Sequence, residues 1–279
     1  MTAALLLAMA SSLAYGAADF LGGVAARGAQ VLRVVVIAAP ASLLVELLLW
    51  PLVGAHFAAG AVVWGAASGL ASAAAFALLY RTLAIGPMSV LSPVTALVSA
   101  ALPVSVGLMR GEQLSGIAVG GVALALVAVV VVSGGSDTDA RRPSRMALAF
   151  ALGAGTAIAL QLVCLDQAPD NSGVAPLLVG RTVSSAVVLA AAFMLRGRLG
   201  DARPSLPTSA AAGALDSLAN FAFLFAVRDG ELAVVAVITA LYPAGTVLLA
   251  RALLAERIGR AQLAGLGLAA VAVSFLALG

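Results

Sequence analysis

Residues 114–133 read LSGIAVGGVALALVAVVVVS, a run of twenty with no charged side chain and with apolar residues on every face of a helix. At a rise of about 1.5 Å per residue such a helix is roughly 30 Å long, which matches the hydrocarbon core of a bilayer. Ionisable residues stop short of it on both sides, Arg110 and Glu112 before the run and Asp137, Asp139, Arg141 and Arg142 after it. A surface helix of a soluble protein would carry a polar stripe, and a strand would alternate polar and apolar positions. This run does neither, and lipid then leaves the helix as the way to satisfy the backbone.

The rest of the chain follows the same pattern. Of 279 residues, 63% are hydrophobic and only 10% charged, and the mean hydropathy is +1.13. Cutting wherever charges, Pro or Gly interrupt an apolar run predicts ten spans, at 3–25, 31–53, 59–80, 88–109, 114–133, 146–166, 174–195, 207–227, 232–254 and 260–278. The fold class is therefore an all-α integral membrane protein. The first span has no basic segment before it and outlasts the apolar core of a secretory signal, so it reads as uncleaved. Gly pairs at four-residue spacing, Gly65–Gly69, Gly107–Gly111 and Gly116–Gly120, are candidates for close helix contact.

The lone Cys164 and lone His56 give no disulfide framework and no metal site, and no cofactor is expected. All fifteen basic residues are Arg. Twelve of them lie at or near the gaps after spans 1, 3, 5, 7 and 9; Arg110 and Arg228 lie on the other side, and Arg181 falls inside a span. The positive-inside rule makes the Arg-rich gaps cytoplasmic and puts both termini outside a plasma (inner) membrane. Basic runs long enough for nucleic acid, with interleaved aromatics, are absent. The expected partners are lipid, a small-molecule substrate and protons as coupling ion, with the chain acting as a monomer or weak homodimer.

Shifting the chain on itself by 144 residues lays Gly86 on Gly230, Thr95-Ala96-Leu97 on Thr239-Ala240-Leu241, and Glu112 on Glu256. A slightly larger offset pairs Arg33 with Arg181. The division is then 1–133 as a first five-helix repeat, 134–145 as a polar connection and 146–279 as a second repeat. Five is odd, so the second repeat enters the membrane from the opposite side. Inverted repeats of this kind build secondary transporters whose site lies near the midplane between the halves.

Three stretches carry a further resemblance: Leu13-Ala14-Tyr15-Gly16-Ala17-Ala18-Asp19-Phe20, Ser92-Pro93-Val94-Thr95-Ala96-Leu97, and Arg110-Gly111-Glu112-Gln113-Leu114-Ser115. The second half repeats the last two as Ile238-Thr239-Ala240-Leu241-Tyr242-Pro243 and Ala255-Glu256-Arg257-Ile258-Gly259. With these the chain resembles the ten-span proteins of the drug/metabolite transporter (DMT) superfamily that carry two EamA-type repeats. The resemblance implies a transporter of metabolites or drug-like solutes and leaves the substrate open. Such proteins are commonly drawn with both termini cytoplasmic, the reverse of what the Arg distribution predicts here.

A charge at mid-bilayer costs roughly 2.5–3.5 kcal/mol on insertion scales, so the ionisable residues inside spans are functional candidates. Asp216, at the centre of span 8 with Asn220 one turn on, is placed to bind a cationic or hydrogen-bonding substrate or to carry a proton. Asp19, with Tyr15 one turn before it, is the second candidate, and an ion pair with Arg27 or Arg33 is its structural alternative. Gln161, Thr95, Thr239 and Tyr242 are candidate pathway residues. Pro93 and Pro243 are candidate kinks, and Arg181 reads as an ion-pair or snorkelling residue. Glu46 lies deep in span 2 without polar neighbours on its own helix and reads as the weaker acid.

Rival classes lack their residues. A serine protease needs a His base, a metalloprotease needs His-Glu-x-x-His, and an ATP-driven pump needs a phosphate-binding Gly-rich loop. A channel, a lipid flippase or a non-transporting scaffold is the alternative that sequence separates least from a carrier.

Overall fold

The computed structural model describes residues 2–85, 88–133, 144–196, 202–254 and 259–278. Most of the expected connection at 134–145 lies outside them, as do Gly86, Glu256 and Arg257, and the side chains of Arg27 and Pro93 are likewise outside. The regular elements among the described residues are helices: α1 (Thr2–Arg27), α2 (Val31–Val53), α3 (Ala59–Ile85), α4 (Met88–Met109), α5 (Gly116–Ser133), α6 (Arg145–Asp166), α7 (Ala175–Met194), α8 (Leu206–Asp229), α9 (Leu232–Thr239), α10 (Tyr242–Leu254) and α11 (Arg260–Leu278). Seven of these are long and apolar enough to cross a membrane, and shorter apolar stretches follow at Val94–Met109, Gly116–Val132 and Leu232–Thr246.

Side-chain caps explain several starts. The hydroxyls of Ser115, Ser144 and Ser205 accept from the amides of Ala118, Ala147 and Thr208 and so fix the first turns of α5, α6 and α8. The predicted ninth span is the exception to one helix per span, because α9 stops at Thr239 and α10 begins at Tyr242. Its chain turns at Ala240 and Leu241, just before Pro243, whose ring nitrogen has no hydrogen to give the preceding turn.

Helices pair across the halves in matched sets. α1 packs on α8 as α6 packs on α3; α2 lies on α8 as α7 lies on α3; α4 lies on α6 as α9 and α10 lie on α1. The pairs α5 with α11 and α2 with α7 are their own counterparts. Glycine permits the tightest crossings. A Cβ at Gly213 would stand 2.0 Å from the Ala38 carbonyl oxygen, and one at Gly69 would stand 2.3 Å from that of Gly180. Of the three expected Gly pairs, Gly65–Gly69 alone has both members in close interhelix contact. Gly107 instead makes room for the Glu112 carboxylate, Gly111 turns the chain at φ +93°, Gly116 faces open space and Gly120 meets only Phe275 at ordinary distance.

One end of the bundle gathers the first turn of α1, the α4–α5 and α8–α9 turns and the last turn of α11, where Ala4, Glu112, Gly230 and Leu276 border one cleft. The start of α1 and the end of α11 therefore lie on the same side as Arg110 and Arg228. At this end the turn before α3 meets the one before α7, and His56 donates its backbone N–H to the Ser172 carbonyl.

Candidate functional site

Five helices join polar groups into a network in the middle of the bundle. From α8, Asp216 forms an ion pair with Arg181 of α7 at 2.5 Å. Arg181 is only 3% exposed, which rules out snorkelling, and its other terminal nitrogen donates to the Ser72 hydroxyl of α3 at 3.0 Å. One turn along α8, the Asn220 amide donates to the Asp216 backbone carbonyl at 2.8 Å, while its oxygen accepts from the Gln161 amide of α6 at 2.5 Å. Ser217, between them in sequence, donates to Glu46 of α2 at 2.5 Å. Glu46 is fully buried, and its second carboxyl oxygen has no partner among the described residues.

Beside this network lies a small cavity of about 40 Å³. Tyr15 and Asp19 enter from α1, Gln161 from α6, Asp216 from α8, Thr239 from the end of α9 and Tyr242 from the start of α10. Phe76, Leu79, Ile158 and Leu162 make most of the wall apolar, and Ser99 adds a hydroxyl. The hydroxyls of Tyr15, Thr239 and Tyr242 are buried with no hydrogen-bond partner among the described residues. Native interiors satisfy nearly all such groups, so three on one cavity wall mark a place where a polar guest fits.

Asp19, Glu46 and Asp216 bring three carboxyls together, and among the described residues Arg181 pairs with one of them, Asp216. Asp216 uses that cation. Asp19 makes no hydrogen bond or ion pair with any described residue, and it opens on the cavity.

Of the residues singled out in the sequence, Tyr15, Asp19, Gln161, Asp216, Thr239 and Tyr242 line the cavity, and Asn220 stands behind it holding Gln161 and Asp216. Thr95 lies off the cavity: its hydroxyl is within hydrogen-bonding distance of the Leu91 and Ala151 carbonyls, at 3.0 and 3.3 Å, so it ties α4 to α6. Pro243 sits in the first turn of α10, directly after the break. Ser72, Phe76 and Ser99 join the site without having been candidates, and Glu46, read from the sequence as the weaker acid, joins the network beside it. Their signal is spatial, since Glu46 meets Ser217 across 171 residues and Arg181 meets Ser72 across 109.

Comparison with known proteins fits this geometry. Residues 145–278 match the EamA-like transporter family, which covers the second half of the chain. A solved structure titled "Crystal structure of protein" superposes on all of this chain and 97% of its own, with a TM-score of 0.78 at 13% identity. That likeness is one of fold. No protein of curated function matches the chain.

Proposed function

We propose that this chain, whose second half belongs to the EamA-like transporter family, is a secondary carrier that passes a small amphipathic solute bearing a positive charge through the central cavity. The observation that carries the reading is Asp19, a carboxylate with no cation paired to it among the described residues, in a largely apolar cavity. A carboxylate without a counter-ion inside a bilayer is costly until a proton or a cationic group neutralises it. Exchange of one for the other couples solute movement to a proton gradient. Tyr15, Tyr242 and Phe76 supply rings for the solute's cationic end, where contacts of this type contribute about 0.5–2 kcal/mol.

Alternating access suits the architecture. The two units, 1–133 and 146–279, are the moving bodies in this reading, and the matched helix pairings support an inverted repeat. The cavity is lined within a single chain, which supports the monomer as the working unit. The Arg-poor end, with both chain termini, faces outward by the positive-inside rule.

Counterflow in proteoliposomes tests the reading. Phenyltrimethylammonium is the probe because its permanent charge prevents passive trapping by a pH gradient. Saturable exchange of labelled for unlabelled probe is expected, and an acid interior should drive net accumulation of the probe as protons leave, with phenylpropionate as the inactive anion. Flux without saturation or counterflow would mark a channel instead, and no flux of the cation would remove the substrate class.

A further inference from the structure

At the Arg-poor end, a carboxylate from the first half caps a helix of the second half. Glu112 Oε1 accepts from the backbone N–H of Leu232 at 2.9 Å, and Oε2 accepts from that of Ala233 at 3.0 Å. These are the first two residues of α9, whose own N-cap residue, Glu231, makes no side-chain cap. The first amides of a helix have no partner inside it, and a negative charge there also meets the positive end of the helix dipole. The approach is built locally. Met109 ends α4, Gly111 turns the chain, and the Glu112 amide bonds to the Gly107 carbonyl at 3.1 Å. Gly107 leaves space that a methyl group would fill, since a Cβ there would stand 2.3 Å from Glu112 Oε2.

The far end of α9 is the cavity wall. Eight helical residues make a rod of about 12 Å, with Leu232 under the Glu112 carboxylate at one end and Thr239 in the cavity at the other. Beyond Thr239 the helix is broken at Ala240 and Leu241, so the rod has a joint at its inner end and a clamp at its outer end. We infer that Glu112 is a positioning residue for transport: its grip on α9 holds the cavity closed toward the Arg-poor end, and its release lets α9 swing to open that end. The inference rests on the carrier reading for its purpose, and on the hydrogen bonds and the helix break for its geometry.

Sidedness of labelling tests it without any substrate. In a Cys164→Ala background, a single cysteine replaces Ala240 on the cavity wall, and an impermeant maleimide is added to sealed vesicles from the Glu112 side. With both bonds to the carboxylate lost, Glu112→Ala should raise the labelling rate at least about tenfold. Glu112→Gln keeps one carbonyl oxygen and should lie between; it also serves if the alanine variant does not fold. A lower melting temperature with unchanged labelling in the folded variant would reduce Glu112 to a static cap and overturn the inference. Faster labelling in a protein that shows no counterflow would instead preserve the clamp and refute the carrier reading.

Discussion

Arg181 and Asp216 show how little room the site leaves for single changes. Each is almost fully buried, and removing one partner of such a pair strands the other in low dielectric, a loss of about 3–5 kcal/mol. Arg181→Gln should therefore lower the melting temperature sharply in detergent, and Arg181→Gln with Asp216→Asn should recover most of that loss; absence of recovery would mean the pair is not a unit. Asp19 behaves oppositely, because it has no partner to strand among the described residues. Asp19→Asn should leave the stability within about 1 kcal/mol of the parent, or raise it, while abolishing acid-driven accumulation of the probe cation in proteoliposomes. Persisting accumulation would return the coupling role to Asp216, which the sequence ranks first for its central position. That ranking was legible because depth in a span is a local property. The Asp216 partner was not, since Arg181 lies on another helix and no spacing within α8 points to it. Glu46 reads as the weaker acid in the sequence for the same reason: its helix offers it nothing, and its hydrogen bond comes from Ser217.

Helix existence was legible for every span, because twenty apolar residues in a row leave lipid only one solution. The break in the ninth span was half legible. Pro243 announces a weak point, but the turn falls at Ala240 and Leu241, where the packing of α1 decides it. There the Gly16 backbone lies against the Tyr242 carbonyl and the Thr246 amide, and the Thr246 hydroxyl donates to the Gly16 carbonyl at 3.1 Å. Glycine spacing was a poor guide by comparison. Gly213 belongs to no four-residue pair, yet it carries the closest crossing, between α8 and α2. Gly213→Ala should destabilise the protein by about 2 kcal/mol or more, because the new methyl meets a backbone carbonyl that no rotamer change can move. Gly120→Ala, whose methyl meets only the Phe275 ring at 3.7 Å, should be neutral or slightly stabilising. Paired thermal melts of the two variants in detergent check both.

At the scale of the molecule, the chain termini and the even-numbered turns share one end, as an even number of crossings requires. Which compartment that end faces rests on the Arg distribution. A reporter that is active only in the cytoplasm, fused after Gly279, should be silent, and activity would invert the assignment. The broken span also bears on how such a chain is made. Residues 232–254 amount to 23, enough to leave the ribosome and enter lipid as one unbroken helix, whereas an eight-residue rod cannot cross a bilayer alone. On that expectation the gap at Ala240 and Leu241 would open only on assembly, when α1 packs against the segment. An isolated peptide of this span in bilayers should stay helical through Ala240, bending only near Pro243, and solid-state NMR of that peptide would see it. The joint on which the clamp at Glu112 depends would thus be absent from the newly inserted chain and arise only as the last helices find their places.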